Sequence, residues 1–407
     1  MIGLVDGNNF FVSCERVIDP KLNGKAVAVL SNNDGCCVSR SNEFKALGIA
    51  MGTPAFQLKD RVRAGEIILK SSNYELYSDL SRRVMSILRE STLGIEQYSI
   101  DESYIYPPTN VDLLDWGGKL RAKILQWVGI PCGVGFAPTK TLAKIANHIA
   151  KKSKAGVYVL EGPVPDLPVE EVWGIGRRLV HTLHAENIYT IHELLKLDDE
   201  KIRFIGGVTL LRTVIELKGT PALEARDYDE DPESISYSRT FAQPVTTIDG
   251  INESVSTYIA QAAEKLRKYK LLASGCQVYA QYGTHCDHGY TEGSIVFPAP
   301  TDDTSLMLKV ARRQIAKLFV PGLKYRKSGM VFFGLEKADG KYQPDLFTVV
   351  EREQSGLYKS IDGLNARFGR RSIRLASEGA ADAAWHVRRD ILSPCATTRW
   401  DQLLEVR

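Results

Sequence analysis

No apolar run in this chain approaches the roughly 18 residues that a membrane-spanning helix needs, so no membrane contact is expected. Disulfides are equally unsupported. The seven cysteines, an odd number with no Cys-x-x-Cys pair, build no disulfide framework and fit a reducing compartment. A secretory leader is missing, since Met1–Val5 is short and apolar and Asp6 follows at once. The expectation is a cytoplasmic protein. Excess charge of one sign is also lacking. With a formal net charge of +3, any binding of nucleic acid must come from locally clustered cations. What is present is ordinary for a globular protein, 44% hydrophobic and 25% charged residues. At 407 residues the chain exceeds one common core and predicts two to four domains.

Ile2–Val5 reads as a short buried strand ending in Asp6, and Asn8 or Asn9 can cap a helix through about Val17. Lys25–Leu30 and Cys36–Arg40 read as strands around the turn cluster Ser31–Gly35, before a helix over Asn42–Leu47. A helix over Glu75–Glu90, a strand-like stretch around Ile95–Ile105, a helix over Leu113–Val128 and a strand over Cys132–Phe136 follow. Residues 1–24 and 75–165 thus spell βα…ββαβ, a ferredoxin-like α+β sheet, with 25–74 inserted as a small α/β subdomain.

From 166 to 232 the pattern turns to short helices. Gly174 and Gly176 flank Ile175 just before Arg177 and Arg178, and Ile205–Val208 is a weaker copy. Two readings stand: a helix-hairpin-helix offering backbone N–H groups to a phosphate, or a plain packing joint between helices. The acidic Asp227–Glu233 reads as a linker. Residues 235–340 repeat β-α-β-β-α-β and carry Lys265, Lys268, Arg312 and Arg313, which form either a solvated helix face or a phosphate-tracking surface. His285-Cys286-Asp287-His288 lacks a spaced second ligand pair and reads as a polar hairpin loop rather than a zinc site. Beyond Gly340 the chain loosens, while Trp385, Trp400 and Leu403-Leu404 argue that the tail docks onto something.

The chemistry gathers around Tyr98–Tyr104, where Asp101 and Glu102 sit side by side in a run that otherwise reads as strand. A buried carboxylate costs several kcal/mol unless paired or metal-bound, so this pair either marks a turn into solvent or holds cations. If the first strand lies beside this hairpin, Asp6 joins them, and convergent oxygens of this kind suit Mg²⁺. A pair of such ions can activate an attacking hydroxyl and neutralise a leaving pyrophosphate. Candidate cations for the phosphates are Arg40 and Lys45 in the insert and Lys140 at a helix start. The helix dipole disfavours a lysine there unless an anion lies alongside. Lys119–Lys154 contains no acid at all, yet a solvated helix face accounts for Lys151, Lys152 and Lys154.

Taken in order, Asp6-Gly7-Asn8-Asn9-Phe10-Phe11, Asn32-Asn33-Asp34-Gly35-Cys36, Ser72-Asn73-Tyr74-Glu75-Leu76-Tyr77, Ser99-Ile100-Asp101-Glu102 and Pro138–Lys144 resemble the Y-family translesion DNA polymerases. The resemblance is greatest to the UmuC branch, the catalytic subunits of bacterial DNA polymerase V. It also takes in Trp173–Arg178 and the tail Leu392–Trp400, and so spans essentially the whole chain.

That resemblance implies a right hand. Its palm would be 1–24 and 75–165, its small fingers 25–74, its helical thumb with a helix-hairpin-helix 166–232 and its ferredoxin-like little finger 235–340. A clamp-binding peptide and UmuC-type tail would occupy 341–407. By the same resemblance Asp6, Asp101 and Glu102, with the Gly7 carbonyl, hold two Mg²⁺ ions. Asp6 and Asp101 would bridge both, and Glu102 would hold mainly the one at the primer end. Phe10, Phe11, Ser39, Arg40, Lys45 and Lys140 would contact the dNTP. Phe11 would be the steric gate, phenylalanine where these proteins commonly carry tyrosine. Read from the residues alone, Phe10 and Phe11 are core residues flanking the first helix. The small residues Gly35, Cys36, Cys37 and Ser39 would face the template and enclose the new base pair loosely.

Gly174, Gly176, Arg177, Arg178, Lys265, Lys268, Arg312 and Arg313 would contact DNA. Gln343, Leu346 and Phe347 resemble the QxxLF peptide that binds a sliding clamp. The implied partners are primer–template DNA, dNTPs, a UmuD′-like dimer, the sliding clamp and a RecA filament. The implied activity is error-prone, two-metal translesion synthesis in the SOS response, without proofreading because no second, exonuclease-like set of acids is present. The rival reading is a non-catalytic DNA-binding accessory protein of repair, in which the acids only mark turns. A nucleotide cyclase would share the palm and the metals but would need neither the thumb nor the little finger.

Overall fold

The first strand, β1 (Ile2–Gly7), buries Leu4 and Val5 and passes through Asn9, at φ 47°, into α1 (Phe10–Ile18). The computed structural model describes residues 1–224, 231–283, 287–338, 355–369, 371–379 and 385–403. These fall into two compact units, residues 1–229 with 390–407, and residues 230–389. The acidic stretch read as a linker lies partly outside the described residues.

After α1 comes the insert: β2 (Val27–Leu30), β3 (Cys37–Arg40), α2 (Asn42–Ala46), α3 (Lys59–Arg63) and β4 (Ile68–Ser71). Its sheet runs β3-β2-β4, with β2 antiparallel to β3 and parallel to β4. The chain then returns with α4 (Tyr74–Ser91), β5 (Gly94–Gln97), β6 (Glu102–Tyr106), α5 (Leu113–Val128), β7 (Cys132–Ala137), α6 (Lys140–Lys152) and β8 (Val157–Val159). The large sheet runs β5-β6-β1-β7-β8. Its first four strands carry the expected ferredoxin-like winding, with β1 central and antiparallel to both neighbours. The three-residue β8, parallel to β7, is too short to show in a sequence pattern.

Helices α1, α4 and α5 bury their apolar faces against β1 and β7 around Val12, Leu80, Leu88, Ile124 and Phe136. Helix α6 lies so close to β7 that a Cβ on Gly135 would stand 2.1 Å from the Asn147 backbone nitrogen. From that helix the Asn147 side chain donates to the carbonyls of Leu4 (3.0 Å) and Gly133 (2.9 Å), fixing α6 across two strands. Gly135→Ala is therefore expected to destabilise the protein by about 3 kcal/mol, the upper range for overpacking, read by urea unfolding.

Three further helices, α7 (Arg177–Ala185), α8 (Ile191–Leu195) and α9 (Asp199–Leu217), complete the first unit. Gly174 takes φ 90° in the turn before α7, and α9 breaks at Gly207 (φ 66°, ψ −164°). Both glycine-containing segments singled out in the sequence are thus real turns, because only glycine adopts these angles without strain.

The second unit reads β9 (Ile235–Val245), α10 (Ile248–Tyr269), β10 (Leu271–Gly283), β11 (His288–Thr301), α11 (Thr304–Leu318), β12 (Tyr325–Lys337) and α12 (Ser355–Phe368). The β-α-β-β-α-β order is as expected, but the winding is permuted relative to the first sheet. The sheet runs β11-β10-β12-β9, so the first strand is an edge and β10 pairs with both β11 and β12. Both crossovers still skip one strand, so the alternation of apolar residues that announces each strand is the same in either winding. The tail helix α12 is anchored by a fork between Arg267 and Asp362 (Nε–Oδ2 2.6 Å, Nη2–Oδ1 2.9 Å). Trp385 is buried, as expected of a docked tail, whereas Trp400 and Leu403 are exposed and Leu404 lies outside the described residues.

Candidate active site

Strand β1 delivers Asp6 directly opposite Glu102 on β6. The next amide, Gly7 N–H, donates to the Asp101 carbonyl at 2.9 Å. One end of one sheet therefore carries all three acids. Ser99 shapes the turn before them: its hydroxyl donates to Asp101 Oδ1 (2.6 Å) and accepts from the amides of Asp101 (3.2 Å) and Glu102 (3.0 Å). Asp101 thus lies in the hairpin turn and Glu102 opens the strand.

Lysines of α6 stand over two of these acids. Lys151 Nζ is 2.6 Å from Asp6 Oδ2, and Lys144 Nζ is 3.0 Å from Glu102 Oε2. Burial pushes the Asp6 carboxyl up to about 6, against the pull of Lys151, and repulsion from Glu102 and Asp101 adds to the rise. Mutually repelling, half-buried hard oxygens fit a divalent cation. As they stand, Asp6 and Glu102 face their lysines. Among the described residues no three His, Cys, Asp or Glu side chains are close enough together to hold an ion without turning.

The insert brings more positive charge to the same place. Lys45 Nζ donates to Asn9 Oδ1 at 2.6 Å. Burial lowers the Lys45 ammonium below its usual value, and the nearby charges of Arg40 and Lys151 lower it further. The Arg40 guanidinium donates to the Ile49 carbonyl, and its buried Nε has no partner. Cations that repel one another beside a cluster of acids suit a ligand that is a polyanion at one end. Beside them the half-buried Phe11 ring stacks on Tyr77 (centroids 4.6 Å apart, 15° between planes) and meets the edge of Tyr74 at 5.7 Å.

The impB/mucB/samB family matches residues 5–148, and its C-terminal domain matches residues 232–346. A domain of unknown function (DUF4113) matches residues 355–406. Protein UmuC of Salmonella typhimurium is 38% identical, with 100% of each chain covered. Protein MucB of Escherichia coli is 33% identical over 98% of each. The chain belongs to the UmuC branch of the Y-family DNA polymerases. It is a DNA-directed DNA polymerase of the error-prone translesion type, and the accessory-protein reading is not favoured. Membership of this family implies a divalent-metal-dependent polymerase. The fold agrees: a Y-family polymerase chimera built on Dbh superposes with a TM-score of 0.67 at 22% identity, covering 83% of this chain and 100% of that one.

Within this polymerase several expected site residues are buried or already paired. Lys140 is not at the site: it is buried, its Nζ 2.6 Å from Glu96 Oε2 and 2.8 Å from the Glu224 carbonyl. The anion that tolerates a lysine at this helix start is a glutamate of β5, not a phosphate. Phe10 is a core residue, buried among Val5, Leu88 and Ile130. Ser39 and Cys37 are likewise buried on β3, leaving Gly35 and Cys36 in the more open loop.

Conversely, Lys151 and Lys144, set aside as a solvated face or noted only in passing, are the lysines that reach the acids. Their signal was helical spacing. Residues 144 and 151 are two turns apart, and so share one face of α6. Gly174 and Gly176 precede α7, with Arg177 and Arg178 exposed in its first turn. In the second unit Lys268, Arg312 and Arg313 are exposed on α10 and α11, while Lys265 is half-buried over Tyr269. Gln343, Leu346, Phe347, His285 and Cys286 lie outside the described residues.

Among the described residues no helix is long and apolar enough to cross a membrane.

Proposed function

We propose that the acids at the end of β1 and β6 are the catalytic centre, with Arg40, Lys45 and Lys151 binding the triphosphate of the incoming dNTP. The observation that carries this is the pairing of Asp6 with Glu102, locked by Gly7 N–H on Asp101 O, beside a convergent set of cations. Asp6, Asp101 and Glu102, with the Gly7 carbonyl, are the residues that would hold two Mg²⁺ ions. When bound, such ions acidify the primer 3′-OH and neutralise the leaving pyrophosphate. The chain's own part is placement. Arg40 and Lys45 draw the phosphates from the insert and Lys151 from α6, so that the α-phosphorus lies near the acids and in line with the primer. Phe11, backed by Tyr77, lies beneath the sugar and excludes a ribose 2′-OH.

The same reading gives the first sheet the role of palm, the insert that of fingers, α7–α9 that of thumb and the second unit that of little finger. Gly174, Gly176, Arg177 and Arg178 offer amides and charge to a DNA phosphate. Lys265, Lys268, Arg312 and Arg313 add nonspecific phosphate contacts. Gln277, Tyr279, Gln281 and Lys327, on the sheet face opposite the buried Cys276, Val278 and Ala280, are a further surface of suitable chemistry. Gln343, Leu346 and Phe347 would bind a sliding clamp, and a UmuD′-like dimer and a RecA filament are the remaining expected partners. The test is primer extension by the full chain on a primed template, with the partner dimer present. Extension is expected only with all of template, dNTP and divalent metal. DNA binding without extension under any metal would return the rival reading.

A further inference from the structure

The last described segment returns to the first unit and inserts buried polar side chains between β4 and α4. Ile391 pairs with Ser71, its carbonyl accepting from Ser71 N–H (3.1 Å) and its N–H donating to Ser71 Oγ (3.1 Å). The Asn73 amide donates to both the carbonyl and the hydroxyl of Ser393 at 3.0 Å, while its Oδ1 caps α4 through Leu76 N–H. Ser393 Oγ in turn donates to Glu15 Oε1 at 3.1 Å, and Tyr77 OH donates to the same oxygen at 2.6 Å. Glu15, Tyr77, Asn73 and Ser393 are all buried. Burial raises the Glu15 carboxyl above its ordinary range, opposed by these two hydrogen bonds, and its other oxygen has no partner.

A buried carboxylate with one free oxygen is a costly way to glue a tail to a core, because an apolar plug would cost less. What the carboxylate does is connect. Glu15 lies one turn beyond Phe11 on the same face of α1, and the ring of Tyr77 is the surface on which Phe11 stacks. A continuous path therefore runs from Ser393 through Glu15 and Tyr77 to Phe11.

We propose that the C-terminal segment 390–395 is a specificity-determining part of the sugar pocket, with Ser393 as a positioning residue. It holds Glu15 and Tyr77, and through them the plane of Phe11, so exclusion of ribonucleotides depends on the docked tail. This rests on the reading of Phe11 as the ring beneath the sugar.

The test compares kcat/KM for dCTP and rCTP on one primed template, using the full chain with its partner dimer. Phe11→Leu is the reference and is expected to cut the dNTP-to-rNTP ratio by about 100-fold. Ser393→Ala and Tyr77→Phe, which keeps the ring but removes the hydroxyl, are each expected to lower that ratio about 5- to 20-fold by raising use of rCTP. The double variant is expected to fall no further than the worse single one, because both act on one oxygen. Ser393→Thr restores the ratio. Thr398→Val breaks the tail's contact with Glu75 (3.0 Å), away from this path, and leaves the ratio unchanged. If Ser393→Ala and Tyr77→Phe keep the wild-type ratio while Phe11→Leu loses it, the tail is structural only and the inference is wrong. If Phe11→Leu itself keeps the ratio, the gate reading fails instead.

Discussion

Primer extension by the Asp101→Ala/Glu102→Ala protein is expected to fall by at least about 10⁴-fold, with affinity for primed DNA unchanged within a few-fold. Asp101 and Glu102 lie at one end of the sheet, beside and opposite Asp6. Single-turnover incorporation and a DNA-binding titration on the same preparation separate loss of chemistry from loss of binding. Asp6→Asn is expected to lose activity comparably while making the metal-free protein more stable. Burial holds the folded Asp6 carboxyl near about 6, above its ordinary 3.8. Because the folded value is the higher one, the native state takes up a proton that the unfolded chain does not. Stability therefore falls as the pH rises from about 4 to 6, and ionised Asp6 is a full cost above that range. Removing it is expected to gain on the order of 1–3 kcal/mol at pH 7.5, and less at pH 5, read from urea unfolding at both pH values. On the proposed reading, the acid would be kept for catalysis at the expense of stability.

Lys140→Met and Lys151→Met are expected to fail in opposite ways. Lys140 and Glu96 form a buried pair (5% and 8% side-chain exposure). Taking away the lysine strands a carboxylate in the core and costs about 3–5 kcal/mol, a loss visible as a fall of roughly 10 °C in melting temperature. Lys151, whose side chain is 31% exposed, sits at the edge of the site. Its loss removes the partner of Asp6 and lowers the melting temperature less than the loss of Lys140 does, but it lowers kcat/KM for dNTP about 100-fold, because one cation is missing from the proposed triphosphate site. If instead Lys140→Met proved stable but unable to bind dNTP, the placement of the two lysines would be reversed.

These lysines show where sequence reasoning reaches its limit. Local chemistry was legible: the strand ending in Asp6, the glycine turn before α7 and the twice-repeated β-α-β-β-α-β order all follow from patterning within a few residues. The three acids were legible as a set too, because the ferredoxin-like order has one winding that brings the first strand beside the hairpin. Lys140, Lys144 and Lys151 share one face of α6, and their spacing says no more than that. Which anion meets each depends on which strand passes under each turn: β5 with Glu96 under the first, the end of β6 under the second, the end of β1 under the last. Phe10 and Phe11 are adjacent on one helix, and only the packing of β1 and α4 against α1 decided that one is core and the other half-buried against Tyr77.

By itself, then, the sequence carried the α+β order and, through its resemblance to the Y-family, the polymerase reading, and it marked Asp6, Asp101 and Glu102 as the candidate acids, since those features lie in short motifs. Tertiary structure alone decided the order of strands in the second sheet, which acid each lysine of α6 meets and the seating of Ser393 on Glu15, 378 residues earlier in the chain. Each is a contact between segments far apart in sequence, and residue spacing along a chain carries no record of such contacts.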